Sequence, residues 1–411
     1  MKTKAVRLHG EKDLRLEEFD LPEISDGEIL IKVICDSICM STYKTAMQGA
    51  KHLRVPDNVS SSPVIIGHEF CAEIVQVGKR WQNDYAVGEK VIIPPALDYC
   101  APNTVGYSFG ELGGDSTYSV VYEHVIEHGY LIKFDGDAFF KGSIIEPVSC
   151  ILRGYKGTFH TVGDDYVTGI KNGGCLAVLG GCGPMGLEAI DLAVSQKNRP
   201  SVLVVVDVDQ TKLARAEKIF KDKAEKNNVK AIFTTKTDKD YLLGLTNGKG
   251  FDDVFVYAPV SSLIELADAL LAFDGCLNFF AGPIDKNLSA NFNFYNVHYR
   301  QHHVAGTSGS TTADIKESAD MIGKGIINPA VMITHIGGLD AVIDTTLNLP
   351  HIPGGKKLIY THINLPLTAI SDFAKLADTD ERFKVLDKLV KENNGIWSKQ
   401  AEEYLLKSFA E

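Results

Sequence analysis

The chain is short of positive charge. Its 411 residues carry 42 Lys and Arg against 53 Asp and Glu, a formal net charge of -11 at pH 7. Nucleic-acid binding rests mainly on Lys and Arg neutralising phosphates, so a general phosphate-backbone binder is excluded. Long apolar runs are missing as well. No stretch approaches the roughly 18 residues that a spanning helix requires, and the segment Met1 to Asp13 has basic residues but no apolar secretory core. Neither nucleic acid nor membrane is an expected partner, and the chain is expected in the cytosol. The eight cysteines, at 35, 39, 71, 100, 150, 175, 182 and 276, show no paired spacing. That suits reduced thiols, most of them small core residues, better than a disulfide framework. Internal repeats, low-complexity tracts and obvious flexible linkers are absent too.

What is present suits a folded protein of two or three units, with 45% hydrophobic and 23% charged residues. The first 150 residues read as short strands: Lys4 to Leu8, Glu28 to Ile34, Ala72 to Val77 and Lys90 to Ile93, separated by Gly27, Gly78, Gly88 and Pro94. An irregular antiparallel barrel with long loops, such as Lys44 to Pro63, is expected there. From about residue 170 strands alternate with helices. Strands at 175–179, 202–206, 231–233, 253–257, 277–280 and 303–305 predict a six-stranded doubly wound parallel sheet. After Gly309 a helix over 315–321 and a strand at 357–360 look like a return to the first domain. The expected division is 1–150 with 309–365, then 151–308, and a charged helical extension over 366–411. In that extension Phe383, Leu386, Leu389 and Val390 recur at helical spacing.

Two constellations carry chemistry. The first is Gly181-Cys182-Gly183-Pro184-Met185-Gly186, which follows a strand, opens a helix and precedes an acid, Asp207, 21 residues after Gly186. Those are the mechanical requirements of a dinucleotide turn. Gly181 permits the tight turn, Gly183 lets backbone approach a pyrophosphate, and Gly186 lets the helix pack closely on the strand. Pro184 and Met185 begin a helix whose N-terminus faces the phosphates. Asp207 can accept from the ribose hydroxyls and repel a 2′-phosphate, so NAD(H) is expected over NADP(H). The neighbouring Asp209 reads as a helix cap.

The second constellation is Cys39, the pair His68-Glu69, and Glu146. Zinc accepts thiolate, imidazole and carboxylate, and a catalytic site keeps three protein ligands with one position open. Cys39, His68 and Glu146 make a formally neutral set with Zn²⁺. Ionised Glu69 as a further ligand makes it net negative and weakens the Lewis acid, so Glu69 is expected to act from beside the metal or to exchange with a ligand. On spacing alone, a buried core thiol and a satisfied buried histidine remain open as the alternative.

The stretch Val33 to Thr42, Gly67-His68-Glu69-Phe70, the turn Val87-Gly88-Glu89-Lys90-Val91, Glu146-Pro147 and the glycine fingerprint together resemble the zinc-dependent medium-chain dehydrogenase/reductase family. The resemblance runs from about residue 3 to 360 and is strongest to the polyol and sugar-phosphate branch. It implies a GroES-like catalytic barrel beside a Rossmann domain, one catalytic zinc per chain, and substrate in the cleft between domains. The implied reaction is reversible hydride transfer between NAD(H) and the carbonyl or alcohol carbon of a polyol or ketose phosphate, with Ser41 passing the alcohol proton outward. Relatives with a structural zinc hold it on four close cysteines, whereas residues 95–120 contain only Cys100, so no structural zinc is expected. Met40, Thr42 and Lys44 replace the glycine, acid and histidine common after the catalytic cysteine. A substrate phosphate calls for cations; the candidates are Lys44, Arg300 and His302, with Lys51, His52, Arg54 and His303 beside them. The chain is expected to form a homodimer or homotetramer. A zinc-free quinone reductase of the same superfamily and a non-catalytic nucleotide-binding scaffold are the alternatives.

Overall fold

A computed structural model describes residues 1–410. The chain divides into two compact units: the first contains Met1–Glu146, Ile315–Lys324 and the chain from Pro329 on, the second Pro147–Asp314 with Gly325–Asn328. No helix among the described residues is long and apolar enough to cross a membrane.

The first unit is built on strand Ile29–Ser37, which is almost wholly buried because it pairs on both sides. It runs antiparallel to Phe70–Val77, to Tyr118–Val121 and to Lys356–Tyr360. These belong to an eight-stranded sheet that also takes in Lys90–Ile92, Ile132–Lys133, Ile333–Gly338 and Thr368–Ala369. The sheet is mixed rather than purely antiparallel, since Ile333–Gly338 pairs parallel with Lys356–Tyr360. A second sheet joins Lys2–Gly10 to Asp13–Asp20 and Val64–Ile65. Ile29, Ile31, Val33, Ala72, Ile74 and Val91 form one buried cluster on the alternating faces of their strands. The expected long loop after residue 44 is partly helical: Met40–Gln48 is an α-helix that begins directly after Cys39, which places Lys44 within it.

The residues from 366 on belong to this first unit. Helices Glu381–Glu392 and Lys399–Ser408 are capped by Asp380 and Ser398, whose side chains accept from Arg382 N and Ala401 N. Phe383, Leu386 and Val390 are buried while Leu389 stays partly exposed. At about 1.5–3 kcal/mol for each large apolar side chain removed from water, that stripe is enough to hold the helix against its own chain.

The second unit carries a six-stranded sheet in the order Lys230–Thr234, Val202–Val206, Cys175–Leu179, Phe251–Val256, Leu271–Phe279, His303–Gly306. Every neighbouring pair is parallel, as doubly wound connectivity demands. The central strands are apolar throughout because helices cover both faces.

Candidate metal centre and nucleotide turn

Cys39 is placed by the end of a strand and the start of a helix. Its backbone is extended, its side chain makes no cap bond, and its carbonyl accepts Tyr43 N at 3.2 Å, so the thiol is left to project from the turn. His68 follows Gly67, whose φ of +89° and close approach to Asp115 N, 2.5 Å from where a Cβ would stand, admit only glycine. Glu69 then opens strand Phe70–Val77, and its own N–H donates to the buried Asp36 at 3.0 Å. The donor atoms of Cys39, His68 and Glu69 all lie within 4.8 Å of one another. Glu146, at the start of helix Ile145–Gly157, lines a small cavity with His68 and Glu69.

Ser41 lies in the first helical turn after Cys39. Its hydroxyl donates to Cys39 Sγ at 3.0 Å and is 3.2 Å from His68 Nε2, while Thr42 Oγ1 is 3.3 Å from His68 Nδ1. Thr42 therefore holds one ring nitrogen, and Nε2 is turned to the Ser41 hydroxyl that also bonds the cysteine. Burial, with Lys356 and Arg54 adding to it against Glu69, pulls His68 down to about 4. The imidazole is thus neutral at pH 7, the state a metal requires. Burial, then Glu69 and Glu146, pushes the Cys39 thiol up to about 12, so metal binding must release its proton.

One essential neighbour carries no sequence signal. Lys356, 287 residues along the chain from Glu69, places Nζ 2.6 and 2.5 Å from the two Glu69 oxygens, and Ser37 Oγ also donates to that carboxylate. Burial alone lowers a lysine; Glu69, then Cys39 and Glu146, outweigh it and hold the ammonium above its ordinary value. The added positive charge offsets the unit of negative charge that ionised Glu69 brings to a thiolate, a second carboxylate and a divalent cation. The charge objection to Glu69 beside the metal is removed by Lys356. Tyr107, buried, carries no sequence signal either: its ring packs tilted against His68 and stacks on His52, at centroid distances of 5.1 and 5.6 Å, with the Arg54 guanidinium 5.5 Å from its centre.

In the second unit the glycine turn follows strand Cys175–Leu179 and leads to helix Pro184–Ser195, with Pro184 in its first turn. A Cβ on Gly186 would stand 2.4 Å from Gly181 O, whereas one on Gly183 would meet nothing within 4 Å. The first is closed by packing and the second is open to a ligand. Asp207 accepts from Cys182 N at 2.9 Å and from Asp209 N at 3.1 Å, tying the end of the second strand to the turn. Asp209 caps the next helix, accepting from Thr211 N and Lys212 N, as its position suggests.

The phosphate candidates separate. Arg300 and His302 immediately precede strand His303–Gly306, at the amino end of the parallel sheet, while the glycine turn leaves the carboxyl end. The two ends of a parallel sheet are opposite, so the structure does not bring Arg300 or His302 to the nucleotide turn, and the expectation for them is corrected. His302 is buried beside Asp268, and His303 bonds Asp274 at 2.8 Å. Lys51 is paired with Glu11 at 2.6 Å. Lys44 lies three residues beyond Ser41 on the same helix, and among the described residues Arg54 has no carboxylate partner.

A mixed-sheet barrel holding thiol, imidazole and carboxylates, together with a glycine-turn parallel sheet, defines a zinc-dependent dehydrogenase. The chain belongs to the zinc-dependent medium-chain dehydrogenase/reductase family, which makes it an oxidoreductase: residues 25–128 match the alcohol dehydrogenase GroES-like domain and residues 184–324 the zinc-binding dehydrogenase domain. Within the family it is similar to a mannitol-1-phosphate 5-dehydrogenase of Aliivibrio fischeri, 45% identical over 99% of this chain and 98% of that one. An L-sorbose 1-phosphate reductase of Klebsiella pneumoniae is 44% identical over 98% of this chain and 97% of the relative. The fold is shared with 2R,3R-butanediol dehydrogenase from Bacillus subtilis, at a TM-score of 0.69 and 23% identity, covering 87% of this chain and 99% of that structure.

Proposed function

We propose that this protein is a zinc-dependent, NAD-linked dehydrogenase of polyol phosphates that interconverts a ketose phosphate and a hexitol phosphate, with L-sorbose 1-phosphate as a candidate substrate. The observation that carries the reading is the convergence of Cys39, His68 and Glu69 donors beside Glu146. Thiolate, imidazole and carboxylate are the donor types zinc takes, so the residues fit the metal. Cys39, His68 and Glu146 hold it, and Glu69, both of whose oxygens are engaged by Lys356, is the neighbour that exchanges. When bound, zinc would supply a Lewis acid for the substrate oxygen, and a nicotinamide cofactor whose pyrophosphate is held at Gly181, Gly183, Pro184, Met185 and Gly186 would supply or take the hydride.

The chain's own residues do the rest. Ser41, within hydrogen-bond distance of both Cys39 and His68, takes the alcohol proton and passes it outward. Thr42 fixes the ring of His68. Asp207 selects the adenosine ribose and disfavours a 2′-phosphate. For the substrate phosphate, Arg54 and Lys44 are the cations the first unit offers near this centre; Arg54 acts on His68 electrostatically and sits over Tyr107. Two relatives that are similar along nearly their whole length carry names with phosphorylated substrates, which supports this assignment.

The experiment is a dehydrogenase screen with NAD and NADP over free and phosphorylated polyols, with bound metal quantified on the same preparation. About one zinc per chain and turnover of a hexitol phosphate with NAD are expected. Activity without zinc would instead favour the quinone-reductase reading, and NAD binding without any turnover a non-catalytic scaffold.

A further inference from the structure

Beyond the metal centre, the least expected polar feature of the first unit lies in the C-terminal helix Lys399–Ser408. Glu402 is 2% exposed, a depth at which a carboxylate has to be fully hydrogen-bonded. Its Oε2 accepts from Phe139 N and its Oε1 from Phe140 N, both at 2.7 Å, and Oε1 also accepts from Tyr360 OH at 3.0 Å. Trp397, equally buried, donates from Nε1 to the same Tyr360 oxygen at 2.8 Å. A single carboxylate thus joins two pieces of chain far apart in sequence.

Both pieces lead to the metal centre. Tyr360 ends strand Lys356–Tyr360, and because side chains alternate along a strand, residues 356 and 360 face the same side. Glu402 therefore anchors one end of the strand whose other end holds Glu69. Phe139 and Phe140 open the short helix Phe139–Ser143, which runs directly into the helix that carries Glu146. Between them Gly142 is pressed against Cys71, where a Cβ would stand 2.4 Å from the sulfur, on the strand that begins just after Glu69. The tail thus grips the supports of both carboxylates of the centre.

We propose that Glu402 is a positioning residue for the metal site, and that the C-terminal segment sets the separation of Glu69 and Glu146 by gripping the strand and the helix that carry their supports. This rests on the metal-site reading above. Groups that bond a metal ligand directly typically change metal affinity 10–100-fold when altered, and Glu402 stands one contact further out.

The test compares zinc dissociation constants by chelator competition, and visible absorption of the cobalt-substituted protein, for the full-length chain and three variants. Glu402→Gln keeps the size but turns an amide N–H₂ toward a backbone donor. Trp397→Phe removes the second bond to Tyr360 together with part of a buried ring, and Phe383→Leu loosens tail packing without touching the grip. Glu402→Gln should weaken zinc by up to about 10-fold, the low end for direct partners of a ligand, and shift the cobalt bands, Trp397→Phe should do so to a smaller extent, and Phe383→Leu should lower thermal stability with zinc affinity unchanged. Wild-type zinc affinity and cobalt spectrum in Glu402→Gln would overturn the inference. So would an equal loss of zinc in Phe383→Leu at a matched fall in melting temperature, since that is general destabilisation. If Glu402→Gln is too unstable to purify, Trp397→Phe alone decides by the same two readouts. A wild-type protein that binds no zinc refutes the underlying site reading instead.

Discussion

Replacing Lys356 by methionine removes a buried cation while keeping most of its volume. The Lys356 side chain is 9% exposed, its ammonium lies 2.6 and 2.5 Å from the two oxygens of Glu69, and the Glu69 side chain is 1% exposed. At an effective dielectric of about 20, unit charges at that separation attract by about 6 kcal/mol. Desolvation of both groups offsets most of that, so the intact pair is worth little net. Removing one partner is different, because the other charge stays buried without compensation, at about 3–5 kcal/mol. Lys356→Met should therefore destabilise the metal-free protein by about that amount. Urea unfolding can be followed by the fluorescence of Trp81 and Trp397, both of which lie in the first unit. With a slope of about 2 kcal/mol/M, the midpoint should fall by about 2 M. The double variant Lys356→Met/Glu69→Gln removes the stranded charge and should regain part of the loss, giving a coupling energy of the sign expected for contacting residues. A midpoint shift under about 0.3 M, or a double variant no more stable than the single, would falsify the claim that Lys356 is the counter-charge of Glu69.

Three further perturbations separate the remaining roles. Asp207→Asn keeps a side chain able to accept from Cys182 N but removes the charge; kcat/KM with NAD should fall about tenfold while that with NADP rises, and unchanged discrimination would remove Asp207 as selector. Arg54→Met should raise KM for a phosphorylated polyol by about 10–100-fold, the range of a charge-assisted hydrogen bond at about 1.5–3 kcal/mol, with little effect on the unphosphorylated polyol; equal effects on both would argue against a phosphate contact. Gly186→Ala forces a methyl 2.4 Å from the Gly181 carbonyl, so the turn must move, and calorimetric NAD affinity should drop at least tenfold; wild-type affinity would show that this packing does not shape the nucleotide turn.

The parts of the molecule governed by short-range chemistry were open to reading from sequence. Strands 175–179 and 202–206 are apolar because the sheet is buried on both faces, and the glycine spacing, Pro184 and the Asp209 cap follow from local backbone requirements. Cys39 and His68 were visible for the same reason, each next to a strand end with a turn residue beside it. Arg300 and His302 misled because clustering along the chain says nothing about which end of a parallel sheet a segment occupies. That is decided only when strand direction is fixed, and the segment before His303 lies at the amino end. Lys356 and Tyr107 were hidden for another reason: Lys356 is one of two adjacent lysines at the start of a strand, where a solvated role is the ordinary one, and its meaning arises from a carboxylate 287 positions away.

The distribution of charge explains why the first unit is assembled from distant pieces of chain. Asp36, Glu69 and Asp115 are all nearly inaccessible to water, and burial pushes Asp115 up to about 7 and Asp36 well above the usual carboxylate range. Acids raised in this way take up protons on folding unless a cation reaches them. The strand Lys356–Tyr360 inserts beside Ile29–Ser37 and brings Lys356 to Glu69, which gives one of the three a cation partner at the place where a metal needs a carboxylate. Glu402 and Trp397 then hold the far end of that strand. The donors of the centre come from the first 146 residues and their counter-charge from Lys356, while the grip on the Lys356 strand comes from Trp397 and Glu402, so removing the chain after Tyr360 should loosen the centre and weaken its zinc affinity in chelator competition without deleting a donor or the counter-charge.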